Sequence, residues 1–256
     1  MFLIDKYSYT NRLRSIHPLE KALLSLSMLI ISMFAREASI SIMVFLIASI
    51  IILLAKIPWR FYLKLLCLPL AFILTGLVTV IFQVTTQASP VDGAIGSWQF
   101  AGLTIYTLPA SLKAAYQLFF VATSSVSCLF LLILTTPLAD ILYLLKRLHV
   151  SPVLLEIIAF SYRFVFILFD TSRIIYQSQA SRLGYSTFRQ GIHSLGGLSF
   201  SLFMKSMQKA TKMHEAIESR GGYGDFTAGE IGYVFSVRNW FMIFGLLFLL
   251  IFLYVR

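Results

Sequence analysis

Apolar residues run along this chain in long blocks separated by short basic segments. A transmembrane helix needs roughly 17–25 mostly apolar residues. Five blocks meet or approach that length, at 19–34, 39–55, 65–82, 116–135 and 240–254. The first and last are short and must draw on flanking residues, and Arg36 with Glu37 marks a tight turn between the first two. The pattern predicts an all-α integral membrane protein with about five transmembrane helices and long cytoplasmic helices.

A sixth apolar block, 153–169, differs from the others. Glu156, Arg163 and Asp170 recur every seven residues and so share one helix face. Charges there are expensive in lipid, and Arg173 is placed to pair with Asp170. Pro152 suits a helix start, Ser151 a cap and Gly184 a stop. These signals predict a continuous helix over 152–183, about 45 Å long at 1.5 Å per residue. A second arm, 199–220, places Phe203, Met207, Ala210, Met213 or His214, and Ile217 on one stripe. Lys205, Lys209, Lys212, Glu215 and Glu218 face elsewhere.

Loop charge sets the orientation. Lys6, Arg12, Arg14 and Lys21 lie at the N-terminus, Lys56, Arg60 and Lys64 in 56–64, and Lys146 and Arg147 in 136–152. The stretch 163–238 carries nine Lys or Arg, whereas 83–112 carries none. Basic loops stay cytoplasmic, so 83–112 is external. Spanning by 153–169 would put the most basic region outside, so that block is read as not crossing. The alternative is a kinked sixth span lining a pore. The chain therefore divides into four spans within 1–135, a cytoplasmic region over 136–238, and a last span within 239–256.

Composition agrees: 58% of residues are hydrophobic and 12% charged, against about 45–50% and 25% in soluble domains. The net charge of +10 is accounted for by cytoplasmic loops, so no nucleic-acid partner is expected. The two cysteines, Cys67 and Cys128, form no metal or disulfide pattern. A cleaved signal peptide is not expected. There is no GxxxxGK[ST] loop to cradle nucleotide phosphates and no GxSxG. His17, His149, His193 and His214 show no i,i+3 or i,i+4 pairing. They are expected to be solvated or capping, with no metal site, no cofactor and no enzyme chemistry. A stand-alone channel or secondary carrier would need intramembrane polar groups, for which Asp140 and Glu156 are the candidates.

One short pattern occurs twice. Ser-Arg-x-Gly-Tyr stands at 181–185 and again at 219–223, each time at the end of a long predicted helix. Read as helix ends, Arg complements the dipole, and Gly184 and Gly222 terminate the helices. Read as tips presenting a fixed guanidinium, they suit docking onto two equivalent partners, since the planar fork pairs with carboxylates in two places.

The paired motifs resemble the transmembrane T component of energy-coupling factor (ECF) transporters, whose members carry variants of Ala-Arg-Gly at both places. Here they read Ser181-Arg182-Leu183 and Ser219-Arg220-Gly221, the first departing from the pattern at Leu183. Asp5, Tyr7, His17, Pro18 and Lys21 resemble the opening of the cobalt-type, CbiQ-like branch. The resemblance implies a non-catalytic coupling scaffold in the bacterial or archaeal cytoplasmic membrane. Its implied partners are two cytoplasmic ATPase subunits, which dock at the two Arg motifs, and a separate substrate-binding membrane subunit. ATPase closure would bring the two tips together and move both helices. The implied cargo is cobalt or nickel, with a shared component for vitamin uptake as the alternative. The orientation predicts that a cysteine at Ser199 is protected from an impermeant thiol reagent in intact cells while one at Ser89 is labelled. The opposite labelling pattern would invert the topology.

Overall fold

The computed structural model describes residues 3–35, 37–85, 96–100, 103–219, 221 and 237–255. In chain order the helices are α1 (Leu3–Thr10), α2 (Pro18–Ala35), α3 (Ala38–Leu54), α4 (Trp59–Ile81), α5 (Pro109–Thr135), α6 (Leu138–Arg147), α7 (Pro152–Ala180), α8 (Phe188–Glu218) and α9 (Val237–Val255). A 3₁₀ turn covers Arg12–Ser15. The chain divides into two units, one formed by Phe2–Asp140 with Gly232–Arg256 and the other by Ile141–Ile231.

Each expected span is a helix, with shifted ends. Pro58 starts α4 early, so Arg60 and Lys64 lie within its first turns. Leu108 and Pro109 likewise open α5 before the apolar block begins. The short helices α1 and α6 carry too few apolar residues to register as blocks, and the sequence reading missed both. Helices α2, α4, α5 and α7 have the length and apolarity to cross a membrane. α3 and the stretch Asn239–Leu250 are apolar but shorter. Length and composition therefore set α7 beside α2, α4 and α5; the expectation that it does not cross rests on its charges and the loop rule.

The segment between α4 and α5 holds a small antiparallel sheet that the charge pattern did not predict. Its strands are β1 (Gln83–Thr85), β2 (Gly96–Phe100) and β3 (Leu103–Thr107), in the order β1-β3-β2. Phe100 pairs with Leu103 and Trp98 with Ile105, while Val84 also pairs with Ile105, from the other side.

In the first unit α5 is the central element, packed against α1, α2, α3 and α4. Lipid tails are as apolar as leucine, so helices in a bilayer associate through close packing of small residues and hydroxyl contacts. The interior follows that rule. Ser25, Ser32, Ser41, Ala48, Ser124 and Ser127 are all buried. The Ser32 hydroxyl on α2 bonds the Ser124 hydroxyl on α5 and donates to Ser41 Oγ on α3 at 3.4 Å. Tyr62 Oη on α4 donates to Ser127 Oγ at 3.1 Å. Around these contacts Met28, Ile40, Val44, Cys128 and Leu250 form one apolar cluster. Ile52, Tyr62, Leu66, Leu131 and Leu134 belong to another. α4 is mostly uncovered, with Leu68 and Phe72 about four-fifths exposed at 80% and 79%.

Ser124→Ala removes one interhelical hydroxyl and should lower stability by roughly 0.6 kcal/mol, the average for such bonds in a membrane protein. Ser124→Leu should cost clearly more, because it separates α2 from α5. Thermal unfolding in detergent measures both. Equal stability of the leucine variant and the parent would remove the close-packing account.

Candidate functional site

The second unit is built on a helical hairpin. α7 and α8 run antiparallel, and contacts at three levels fix their register. At the closed end, Ser194 Oγ donates to the Gly184 carbonyl at 2.7 Å. Midway, Lys209 Nζ donates to Thr171 Oγ1 at 3.3 Å. At the open end Phe160, Ser161 and Phe164 of α7 line a cavity with Met213, His214 and Ile217 of α8.

This register separates the two repeated motifs. Ser181-Arg182-Leu183 sits at the closed end, just past α7. Ser219 and Gly221 sit at the other end of α8. The 31 residues of α8 lie between them, roughly 45 Å at 1.5 Å per residue. Arg220 and Gly222 fall outside the described residues.

Despite that separation the two tips share one local geometry. Ser181 and Ser219 are the C-caps, with φ,ψ of −65,−19 and −64,−19. The Ser181 N–H donates to Gln177 O and the Ser219 N–H to Glu215 O, both at 3.0 Å. The Ser181 hydroxyl donates to Ser178 O and the Ser219 hydroxyl to Ala216 O, again both at 3.0 Å. The residue after each arginine is left-handed, Leu183 at φ 58 and Gly221 at φ 97. Each donates its N–H to the carbonyl three residues back, Leu183 to Ala180 and Gly221 to Glu218.

The expected helix stop at Gly184 is thus displaced by one residue, since Leu183 takes the left-handed position. Gly184 serves a different need. Its N–H closes the cap on Gln179 O at 2.9 Å. A Cβ there would lie 2.7 Å from Ser194 Oγ and 2.9 Å from Gln179 O. Only glycine lets α8 approach this corner. Tyr185 then folds back, its hydroxyl donating to Gln179 Oε1 at 2.8 Å and its ring 4.7 Å from that of Tyr176. Thr187 caps α8 by accepting from the Gln190 N–H.

The guanidinium of Arg182 is held on this rigid corner and is exposed. It lies beyond the C-cap, so it is not in the last turn of α7 as a helix-dipole role requires. Neither a hydrogen bond nor an ion pair joins its side chain to another described residue.

The expected Asp170–Arg173 pair does not form, whereas Lys21 lies 3.9 Å from Asp140 and His214 3.3 Å from Glu218. The predicted stripe on α8 meets α7 along part of its length. Met213 and Ile217 face α7, but Phe203 and Met207 are exposed. Ser194 and Lys209 also contact α7, and Phe188, Ile192, Leu195, Phe200, Phe203 and Met207 are exposed.

The N-terminal motif forms a polar cluster that sequence reasoning did not assemble. His17 is buried and caps α2, its Nδ1 accepting from the Leu19 N–H at 3.1 Å. Glu20 is buried and accepts from Asn239 of α9 at 3.0 Å. Lys21 donates to Thr135 O at 3.1 Å and lies 3.9 Å from Asp140. Asn11 also donates to Leu134 O and Thr135 O, both at 3.3 Å. Tyr7 packs on Phe61 with ring centroids 4.6 Å apart. Burial first, then the carboxylates of Asp140 and Asp5, hold the Tyr9 phenol above its ordinary range against the lowering effect of Arg14. The signal that pointed here was the spacing His17-Pro18-x-x-Lys21. The partners lie more than a hundred residues away and carry no mark of their role.

Leu183→Gly should stabilise the corner by about 0.5–1 kcal/mol. It relieves left-handed strain of roughly 1–2 kcal/mol against a glycine entropy cost of roughly 0.5–1 kcal/mol, and the exposed leucine loses little packing. Gly184→Ala should destabilise by about 1–3 kcal/mol through overpacking. A destabilised Leu183→Gly variant in thermal unfolding would refute the cap assignment.

Comparison with known proteins places the chain. A family model described as cobalt transport protein, CbiQ, matches residues 10–231. The cobalt transport protein CbiQ of Salmonella typhimurium is 28% identical over 225 residues, 87% of this chain and 98% of that protein. The Rhodobacter capsulatus protein of the same name is 28% identical over 223 residues, 87% of this chain and 85% of its own length. A putative fused cobalt transport protein CbiMQ of Methanocorpusculum labreanum is 25% identical over 85% of this chain but only 36% of its own length. With its apolar helices and a family match over most of its length, the chain is a multi-pass membrane protein that belongs to the CbiQ family of cobalt transport proteins.

Proposed function

We propose that this protein is the non-catalytic coupling subunit of an ATP-driven importer of cobalt or nickel, in a bacterial or archaeal cytoplasmic membrane. The observation that carries this reading is the pair of equivalent caps, Ser181 to Leu183 and Ser219 to Gly221, at opposite ends of α8. One rigid helix with the same tip geometry at each end fits two copies of one partner. Two ATPase subunits, each taking one arginine into an acidic groove, satisfy that requirement.

The rest of the reading follows from charge and apolar surface. The basic stretch 136–238 is assigned to the cytoplasm, with α7 lying outside the bilayer core. The uncovered apolar side of α8 is the face offered to the substrate-binding membrane subunit. The fused relative named CbiMQ supports a membrane partner of this kind, since most of its length lies beyond the matched region. The tip motion takes a different form from a simple approach. α8 holds the tips roughly 45 Å apart, so ATPase closure is read as tilting or bending the hairpin. A channel reading is less well supported: Asp140 is engaged with Lys21, and Glu156 lies on the mostly exposed α7.

Arg182→Ala and Arg220→Ala should each leave membrane insertion intact and weaken one ATPase contact. Charge-assisted hydrogen bonds to a carboxylate are worth roughly 1.5–3 kcal/mol. Losing both should release the ATPases, because each contact raises the effective concentration of the other. Arg→Lys should rescue in part, lacking the planar fork. ATP-dependent uptake of cobalt and co-purification of the ATPases are the measurements. Normal uptake by the double alanine variant would return both motifs to ordinary helix ends.

A further inference from the structure

The buried ammonium of Lys21 joins three segments that are distant in sequence. Its Nζ donates to Thr135 O, at the C-terminal end of α5, at 3.1 Å, and to Leu13 O in the 3₁₀ turn at 3.3 Å. It also lies 3.9 Å from Asp140 in the first turn of α6. Both side chains are nearly closed to solvent, at 7% and 3% exposure. Between the ends of the two helices stand only Thr136 and Pro137.

The charges are arranged as helix electrostatics favours. A cation belongs at a helix C-terminus and an anion at an N-terminus. Here one cation from α2 serves the negative end of α5 and the acidic first turn of α6 at once. Asn11 supplies a second set of donors to the same α5 carbonyls. A side chain from a third helix thereby bridges the last carbonyl of α5 and the first turn of α6.

The chain enters 141–221, with the hairpin and both arginine tips, through this corner. A force applied to the hairpin passes through 148–151 and α6 before it reaches α5, and its last step is the two-residue linker Thr136-Pro137. If the linker is free to pivot, the force is absorbed there. If it is locked, α5 moves, and α5 is packed on four other helices of its unit.

We propose that Lys21 is a positioning residue for energy coupling. By bridging Thr135 and Asp140 it locks the α5–α6 corner, so that motion of the hairpin is delivered to the packed membrane helices. This rests on the coupling-subunit reading above.

The test uses the complete complex in proteoliposomes, with ATP hydrolysis and cobalt uptake measured on the same preparation. Breaking one partner of a buried pair leaves an uncompensated charge, whereas replacing both by apolar residues is often tolerated. The main variant is therefore Lys21→Met with Asp140→Leu. It should assemble and hydrolyse ATP, but uptake per ATP should fall about tenfold, inside the range usual for a coupling free energy between sites. Lys21→Arg, which keeps the charge and the donors, should recover most of the ratio. An unchanged ratio in an assembled double variant overturns the proposal. Should the double variant fail to accumulate, Asp140→Asn decides, because it keeps the shape and removes the charge. A lowered ratio supports the lock, and a parental ratio overturns it. The Arg182→Ala, Arg220→Ala variant is the control. Retained ATP-driven uptake in that control sinks the coupling reading itself, whereas its loss beside a normal ratio in the Lys21 variants sinks the lock alone.

Discussion

The C-terminal end of α5 sets the condition that the first unit has to satisfy. The last carbonyls of a helix have no partner within it, and those of Leu134 and Thr135 are enclosed by protein. Donors must come from elsewhere in the chain, and they come from Asn11 and Lys21. This one requirement draws the N-terminal segment and α2 onto α5. Asp140 completes the arrangement from the start of α6. The serine contacts between α2, α3 and α5 then hold the helices close along their lengths, where apolar burial alone would give no preference over lipid.

The hairpin meets a different constraint. Two long helices must turn sharply and still present a side chain outward at the turn. A left-handed residue after the C-cap reverses the chain within a few residues. At the α8 end a glycine adopts it without strain. At the α7 end Leu183 adopts it, because the glycine is spent one position later, where α8 comes within contact of the corner. At the α7 end the arginine before the left-handed residue lies beyond the C-cap, with its side chain exposed. Cap geometry and presentation of the cation are the same feature seen from two sides.

Family membership and site chemistry bear on different questions. The match over 10–231 places the chain among cobalt transport proteins. Two equivalent tips on one helix, with an uncovered apolar flank, are what make a coupling role physically reasonable for the hairpin. Among the described residues no group of three or more His, Cys, Asp or Glu comes together.

Much of this was legible in the sequence, and the division has a physical cause. Helix hydrogen bonds close within four residues, so the apolar blocks, Pro152 and the repeated Ser-Arg-x-Gly-Tyr located α7 and the C-terminal end of α8 to within a few residues, although α8 begins at Phe188 rather than at 199. The short helices α1 and α6 escaped because hydropathy blocks register only long apolar runs. The αL role of Leu183 escaped because propensity pointed to Gly184; only the approach of Ser194 shows why that glycine was needed elsewhere. Which part of the α8 stripe meets α7 was not legible, since periodicity finds an apolar stripe but not the surface it meets: Met213 and Ile217 line the cavity with α7, while Phe203 and Met207 are exposed. The partners of Lys21 were invisible for the same reason. Spacing along a chain specifies local bonds, whereas a cation that serves Leu13, Thr135 and Asp140 together is specified only by where packing brings three helix ends.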